Sequence, residues 1–106
     1  MPHISEKSKL RNKVTVDFNQ LYSAAMKIRA VNHPLRKTMI ELLDKNKEMM
    51  VTDIYVRLRL EQSVASQHLA ILRNQGIVKT RRDGKQINYS VNYDELKRTL
   101  EVINDL

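Results

Sequence analysis

The chain has 106 residues, room for one small domain, and carries 19 Lys and Arg against 12 Asp and Glu, a net charge of +7. Its 42% apolar and 29% charged residues suit a folded soluble domain, and the absence of cysteine excludes disulfides, thiolate metal sites and cysteine nucleophiles. No apolar run approaches the roughly 18 residues of a membrane span, and the start Met1-Pro2-His3-Ile4-Ser5-Glu6 lacks the apolar stretch of a secretory signal. A cytoplasmic protein with a polyanionic partner is the expectation, nucleic acid before membrane.

Residues 1–13 carry Lys7, Lys9, Arg11 and Lys13 at alternate positions with few apolar neighbours, which predicts a flexible basic N-terminal arm. The domain proper is then 14–106. From Val16 to Val31, Phe18, Leu21, Tyr22, Ala25 and Ile28 recur at helical spacing. His33-Pro34 breaks that helix, and Pro34 suits the first turn of the next. Leu35, Met39, Leu42 and Leu43 give the second helix its stripe, which fades into Asp44-Lys45-Asn46-Lys47-Glu48. A third helix is expected from about Val51 to Arg59 with Ile54, Tyr55 and Leu58 inward. A fourth is expected over 62–74 with Ala65, Leu69 and Leu72 inward.

After Gly76 the period changes to that of strands, 77–82 and 85–91, flanking Asp83-Gly84. A two-residue loop there pairs Arg82 with Lys85, so that Thr80 faces Ile87 and Val78 faces Tyr89. Asn92 caps a last helix, with Glu95 three residues on as in a capping box and Tyr93, Leu96, Leu100 and Ile103 in a stripe. The fold class is mainly α with a small β-hairpin, in the order α-α-α-α-β-β-α.

Only Arg59-Leu60-Glu61-Gln62-Ser63 separates Leu58 from Val64, which leaves room for a sharp turn between two helices. Such a pair is a helix-turn-helix, whose second helix can enter a major groove. Gln62, Ser63, Ser66, Gln67 and His68 then stand at the start of that helix, with amide, hydroxyl and imidazole groups suited to base edges. Arg73 and the hairpin-tip residues Arg81, Arg82 and Lys85 are the expected phosphate contacts. An enzyme is not expected. Ser63 and His68 are not placed on their helix as a supported dyad, and Gly76 and Gly84 are too few for a phosphate-cradling loop. His33 reads as a structural residue at a helix start, and Met26, Met39, Met49 and Met50 as core filler.

The stretch from Gln62 to Leu72 (QSVASQHLAIL), then Gly76-Ile77-Val78, Arg81-Arg82-Asp83-Gly84-Lys85 and Ile87-Asn88-Tyr89-Ser90-Val91, resembles the ArsR family of bacterial winged helix-turn-helix regulators. Ala30-Val31-Asn32-His33-Pro34-Leu35-Arg36 is similar to that family's approach to its second helix. The resemblance implies a homodimeric repressor on a palindromic operator, held together by the first and last helices. Phe18, Leu21, Tyr22, Leu96, Leu100 and Ile103 are then its interface residues. It also marks departures. Where metal-sensing members carry cysteine, this chain reads Glu48-Met49-Met50-Val51-Thr52-Asp53, and no histidine follows His68. Asp94, Glu95, Glu101 and Asp105 alone make a poor transition-metal site, so neither metal nor cofactor is expected. The partners expected are double-stranded DNA and a second copy. The alternative reading is a protein-interaction module that kept the winged fold without operator binding.

Overall fold

A computed structural model describes residues 18–105. The basic arm expected over 1–13 lies outside them. Helix α1 covers 18–31 and α2 Pro34–Asn46; strand β1 is Met49–Met50 and helix α3 Val51–Leu58. Helix α4 spans Gln62–Asn74, β2 Val78–Asp83, β3 Gln86–Val91 and α5 Tyr93–Asp105. The strands form one antiparallel sheet in the order β1-β3-β2.

The α1–α2 corner is set by local chemistry. His33 is extended, with φ −136° and ψ 129°, and its Nδ1 accepts the Leu35 amide at 3.1 Å. Pro34 follows in the first turn, where its missing N–H costs nothing. Arg36 then occupies a core position on the stripe Arg36, Met39, Ile40, Leu43. Its Nε donates to the Ala30 carbonyl at 2.6 Å and its Nη2 to the Arg29 carbonyl at 3.1 Å. Both acceptors belong to the last turn of α1, whose carbonyls lack helical partners and carry the negative end of the helix dipole. A buried guanidinium thus caps one helix from within another.

The turn between α3 and α4 is as tight as the sequence implies. The Leu60 amide reaches back to the Tyr55 carbonyl at 2.9 Å and the Arg59 amide to that of Val56 at 3.2 Å. That double closure puts Arg59 in the left-handed region, φ 56° and ψ 46°, a place glycine usually takes. At the far end of α4 the same closure recurs with Gly76 at φ +75°. The core lies between these helices and the sheet. Met39, Leu43, Ile54, Leu69, Leu72, Ile77, Val78 and Val91 are fully buried.

Three expectations change. The hairpin loop is Gly84-Lys85, not Asp83-Gly84, so Asp83 pairs with Gln86, Arg82 with Ile87, Thr80 with Tyr89 and Val78 with Val91. Gly84, at φ +63°, supplies the left-handed residue at the first loop position, and Lys85 needs none. The register slides by two, so each side chain keeps its face but changes its partner. Second, Met49 and Met50 add a short strand, opposite Tyr89 and Asn88, rather than only leading into α3. Third, the capping box at Asn92 is half made. Asn92 Oδ1 meets the Glu95 amide at 3.4 Å, but the Asn92 amide donates to the Ile77 carbonyl at 2.8 Å. The Glu95 carboxylate turns instead to Lys27 at 3.2 Å and Arg98 at 3.3 Å.

Replacing Arg36 with methionine fills similar space but leaves two α1 carbonyls without their donor. Urea denaturation should show a loss of about 2–4 kcal/mol, because a charged donor to buried carbonyls is removed.

Candidate nucleic-acid interface

The roll of α4 is fixed by Ala65, Leu69 and Leu72, each with no exposed surface. At about 100° per residue these three occupy one arc, and Gln62, Arg73, Ser66, Ser63 and Gln67 follow in that order over a second arc, from the edge of the first round to the side opposite it. All five are exposed. Ala70 lies at the middle of that arc, also exposed, and keeps the face shallow enough for close approach to a grooved surface. The sequence-predicted residues Gln62, Ser63, Ser66, Gln67 and Arg73 therefore share one continuous polar face.

His68 does not join them. Six positions on from Gln62, it sits about 240° round the helix, beside the buried arc. Its Nδ1 lies 3.2 Å from Arg36 Nη1 and its ring centroid 4.9 Å from that of His33. The side chain is half-buried and turned towards the α1–α2 corner. Desolvation, then the neighbouring His33 and Arg36 charges, hold its pKa below the ordinary histidine value. Neutral imidazole is the form that accepts the guanidinium hydrogen bond. The expected α2 stripe of Leu35, Met39, Leu42 and Leu43 does not include Arg36, and its partners across the corner leave no signal in the sequence.

The hairpin tip sorts its cations by strand alternation. Arg82 and Lys85 are exposed and make no ion pair among the described residues; Arg82 Nε only meets the Gly84 carbonyl at 3.3 Å. Arg81 points to the other face and is engaged. Its Nη2 lies 2.6 Å from Glu48 Oε1 and its Nε 3.2 Å from Glu48 Oε2. Of the three expected phosphate contacts at the tip, Arg81 is the one held by a carboxylate, contributed from the segment before β1.

Helix α1 is inverted in its polarity. Its hydrophilic side, including Asn19, Gln20, Ser23 and Lys27, lines the groove it forms with α5. Its large apolar residues point outward instead. Phe18 is 63% exposed, Leu21 60% and Tyr22 62%. On α5, Leu100 is exposed, as are Tyr93 and Val102, while Leu96 and Ile103 are half-buried. Val102 was not among the residues singled out by periodicity. Among the described residues no helix is long and apolar enough to cross a membrane, and no three His, Asp or Glu side chains cluster to hold a metal.

Residues 33–80 match the sequence pattern of bacterial regulatory proteins of the arsR family. The transcriptional repressor PagR of Bacillus anthracis is 31% identical, over 86% of this chain and 91% of its own. The chain belongs to the ArsR family. The transcriptional activator HlyU of Vibrio cholerae is 34% identical over 78% of this chain and 76% of its own. The crystal structure of NolR from Sinorhizobium fredii superposes with a TM-score of 0.71 at 34% identity, covering 84% of this chain and 88% of that one. As an ArsR-family member the protein is a winged helix-turn-helix transcriptional regulator and not an enzyme. In the terms of that fold α3 and α4 are the helix-turn-helix and β2–β3 the wing.

The depressed His68 pKa has a signed consequence for stability. Protonation costs the folded protein more than the unfolded chain, so this contribution is whole above about pH 6.5. It is lost as pH falls through the folded-state value. Stability measured by urea titration from about pH 7.5 to 5 should decline on the acid side. The decline should be shallower in His68→Gln, which keeps an acceptor for Arg36 but does not titrate.

Proposed function

We propose that the protein is a homodimeric repressor that occupies a palindromic operator in the cytoplasm, with α4 in the major groove and the wing on the flanking backbone. The observation that carries this reading is the single polar face of α4, held outward by three fully buried residues. Gln62, Ser63, Ser66 and Gln67 offer donors and acceptors to base edges, and the one acid beside them, Glu61, stands at the N-cap of α4. His68 belongs to the same helix but serves from behind, as a prop between α4 and the α1–α2 corner. Arg73, Arg82 and Lys85 supply phosphate contacts, which position the helix and make binding salt-dependent.

Dimerisation follows from α1. Phe18, Leu21 and Tyr22 face away from their own core, and a second copy would cover them together with Leu96, Leu100 and Ile103 of α5. A two-fold pair of α4 helices would read a two-fold site. PagR is a repressor and HlyU an activator, so the sign of regulation rests here on occlusion: a dimer seated on a promoter excludes polymerase. The interaction-module reading would need a neutralised α4 face, and this face retains its full set of polar groups.

Fluorescence anisotropy with the promoter DNA upstream of its own gene, against a scrambled duplex at two salt concentrations, tests the reading. Tighter, salt-sensitive binding to the natural sequence is expected; equal weak binding to both would overturn it. Within that assay Gln67→Ala should cost about 1–3 kcal/mol on the natural site and narrow the difference from scrambled DNA. Arg82→Ala should weaken both duplexes alike and reduce the salt slope by about one unit per protomer. Leu21→Glu should leave a folded monomer in sedimentation, with its circular dichroism preserved and its operator affinity lost.

A further inference from the structure

Two acids, Glu48 and Asp83, stand near the cations of the wing, and Glu48 is the one in hydrogen-bond contact with Arg81. The chain leaves α2 through Lys47, whose φ of 70° and ψ of −52° are those of a γ-turn, closed by the Glu48 amide on the Asn46 carbonyl at 2.8 Å. That conformation is strained for a residue with a side chain. It delivers Glu48 to the sheet just before β1, where the register sets Met50, Asn88 and Arg81 in one row across three strands. From there both carboxylate oxygens reach Arg81, at 2.6 and 3.2 Å, in the two-pronged geometry that suits a guanidinium best.

The pair is a weak stabiliser. Arg81 keeps 58% of its side-chain surface and Glu48 39%, and ion pairs this exposed contribute little to folding. Its effect falls on the wing's charge. A guanidinium holds a phosphate with the same paired donors that Glu48 now occupies, and the carboxylate itself repels the backbone. The two other basic residues of the tip, Arg82 and Lys85, have no such partner among the described residues.

We infer that Glu48 is a built-in competitor of DNA phosphate for Arg81. By holding that guanidinium it removes one cation from the wing and lowers affinity for every duplex alike, leaving base readout by α4 untouched. This rests on the wing lying against the backbone, as proposed above. The consequence is a complex that dissociates more readily than the count of basic residues at the tip implies.

The test uses the intact protein and a random-sequence duplex, where phosphate contacts supply the binding. Glu48→Gln keeps size and polarity but releases Arg81. It should tighten binding about tenfold per protomer at 0.1 M salt and steepen the salt slope of the dimer by about 1.8, the signature of one added phosphate contact in each protomer. Arg81→Ala should weaken wild-type binding a few-fold, through the bared Glu48 carboxylate, and should remove most of the gain when added to Glu48→Gln. Unchanged or weaker binding by Glu48→Gln, with Arg82→Ala still weakening it, would overturn the role of Glu48 alone. If Arg82→Ala and Lys85→Ala also change nothing, the wing is not at the backbone, and both this inference and the wing's part in the proposed function fall.

Discussion

Arg36 is the contact on which the arrangement of the helices depends. It sits on the inner stripe of α2, takes up the open carbonyls of Arg29 and Ala30 at the end of α1, and touches His68 on α4. Three helices therefore meet at one planar group whose donors are fixed in direction. Burying a guanidinium is costly, and desolvation pulls its pKa down. The burial is offset by carbonyl dipoles at a helix terminus and by a neutral imidazole, all acceptors. An apolar residue could fill the volume, but it could not fix the angle between the helix that faces outward with Phe18, Leu21 and Tyr22 and the helix that carries Gln62 and Gln67.

That angle matters because the two faces are defined separately. The roll of α4 comes from Ala65, Leu69 and Leu72 packing inward, so its polar arc is a by-product of core packing rather than of any property of its own. The roll of α1 comes from Ala30 and Val31 being buried while Lys27 bridges to Glu95 and to the Gln75 carbonyl at 3.0 Å. Neither helix is positioned by what it presents. A ligand or a second copy meeting α1 has two polar connections to follow towards α4, Arg36 to His68 at the middle of that helix and Lys27 to the Gln75 carbonyl just past its end.

Periodicity alone was enough for the helices, because each has a stripe long enough to repeat. The limits of α4 and its three inward residues coincide with the structure. What escaped had no period to display. Two methionines cannot show a strand, so β1 was hidden. Asp83-Gly84-Lys85 allows two loops that differ only in which position the glycine takes, and the positive φ at Gly84 decides between them. His68 follows four polar residues in the chain yet faces the other way, which becomes visible once the helix is turned about Leu69. The Glu48–Arg81 pair joins residues 33 apart and requires both the γ-turn at Lys47 and the strand register. Sequence reports the repeating elements well, and single contacts between them hardly at all.

The net charge of +7 gives a poor picture of the DNA-facing charge. Lys27 and Arg98 are committed to Glu95, Arg81 to Glu48, Arg57 to Asn46 and Arg36 to backbone carbonyls. Of the cations proposed to contact phosphate, Arg73, Arg82 and Lys85 make no ion pair among the described residues. Three phosphate contacts give a salt slope near −2.7, too shallow for tight binding by one protomer. Pairing two protomers as proposed above would double the contacts and bring the slope to about −5. In the dimer proposed above, the outward apolar face of α1 and the modest charge of the α4 face have one resolution: the copy that covers Phe18, Leu21 and Tyr22 would also supply the phosphate contacts that a single domain lacks.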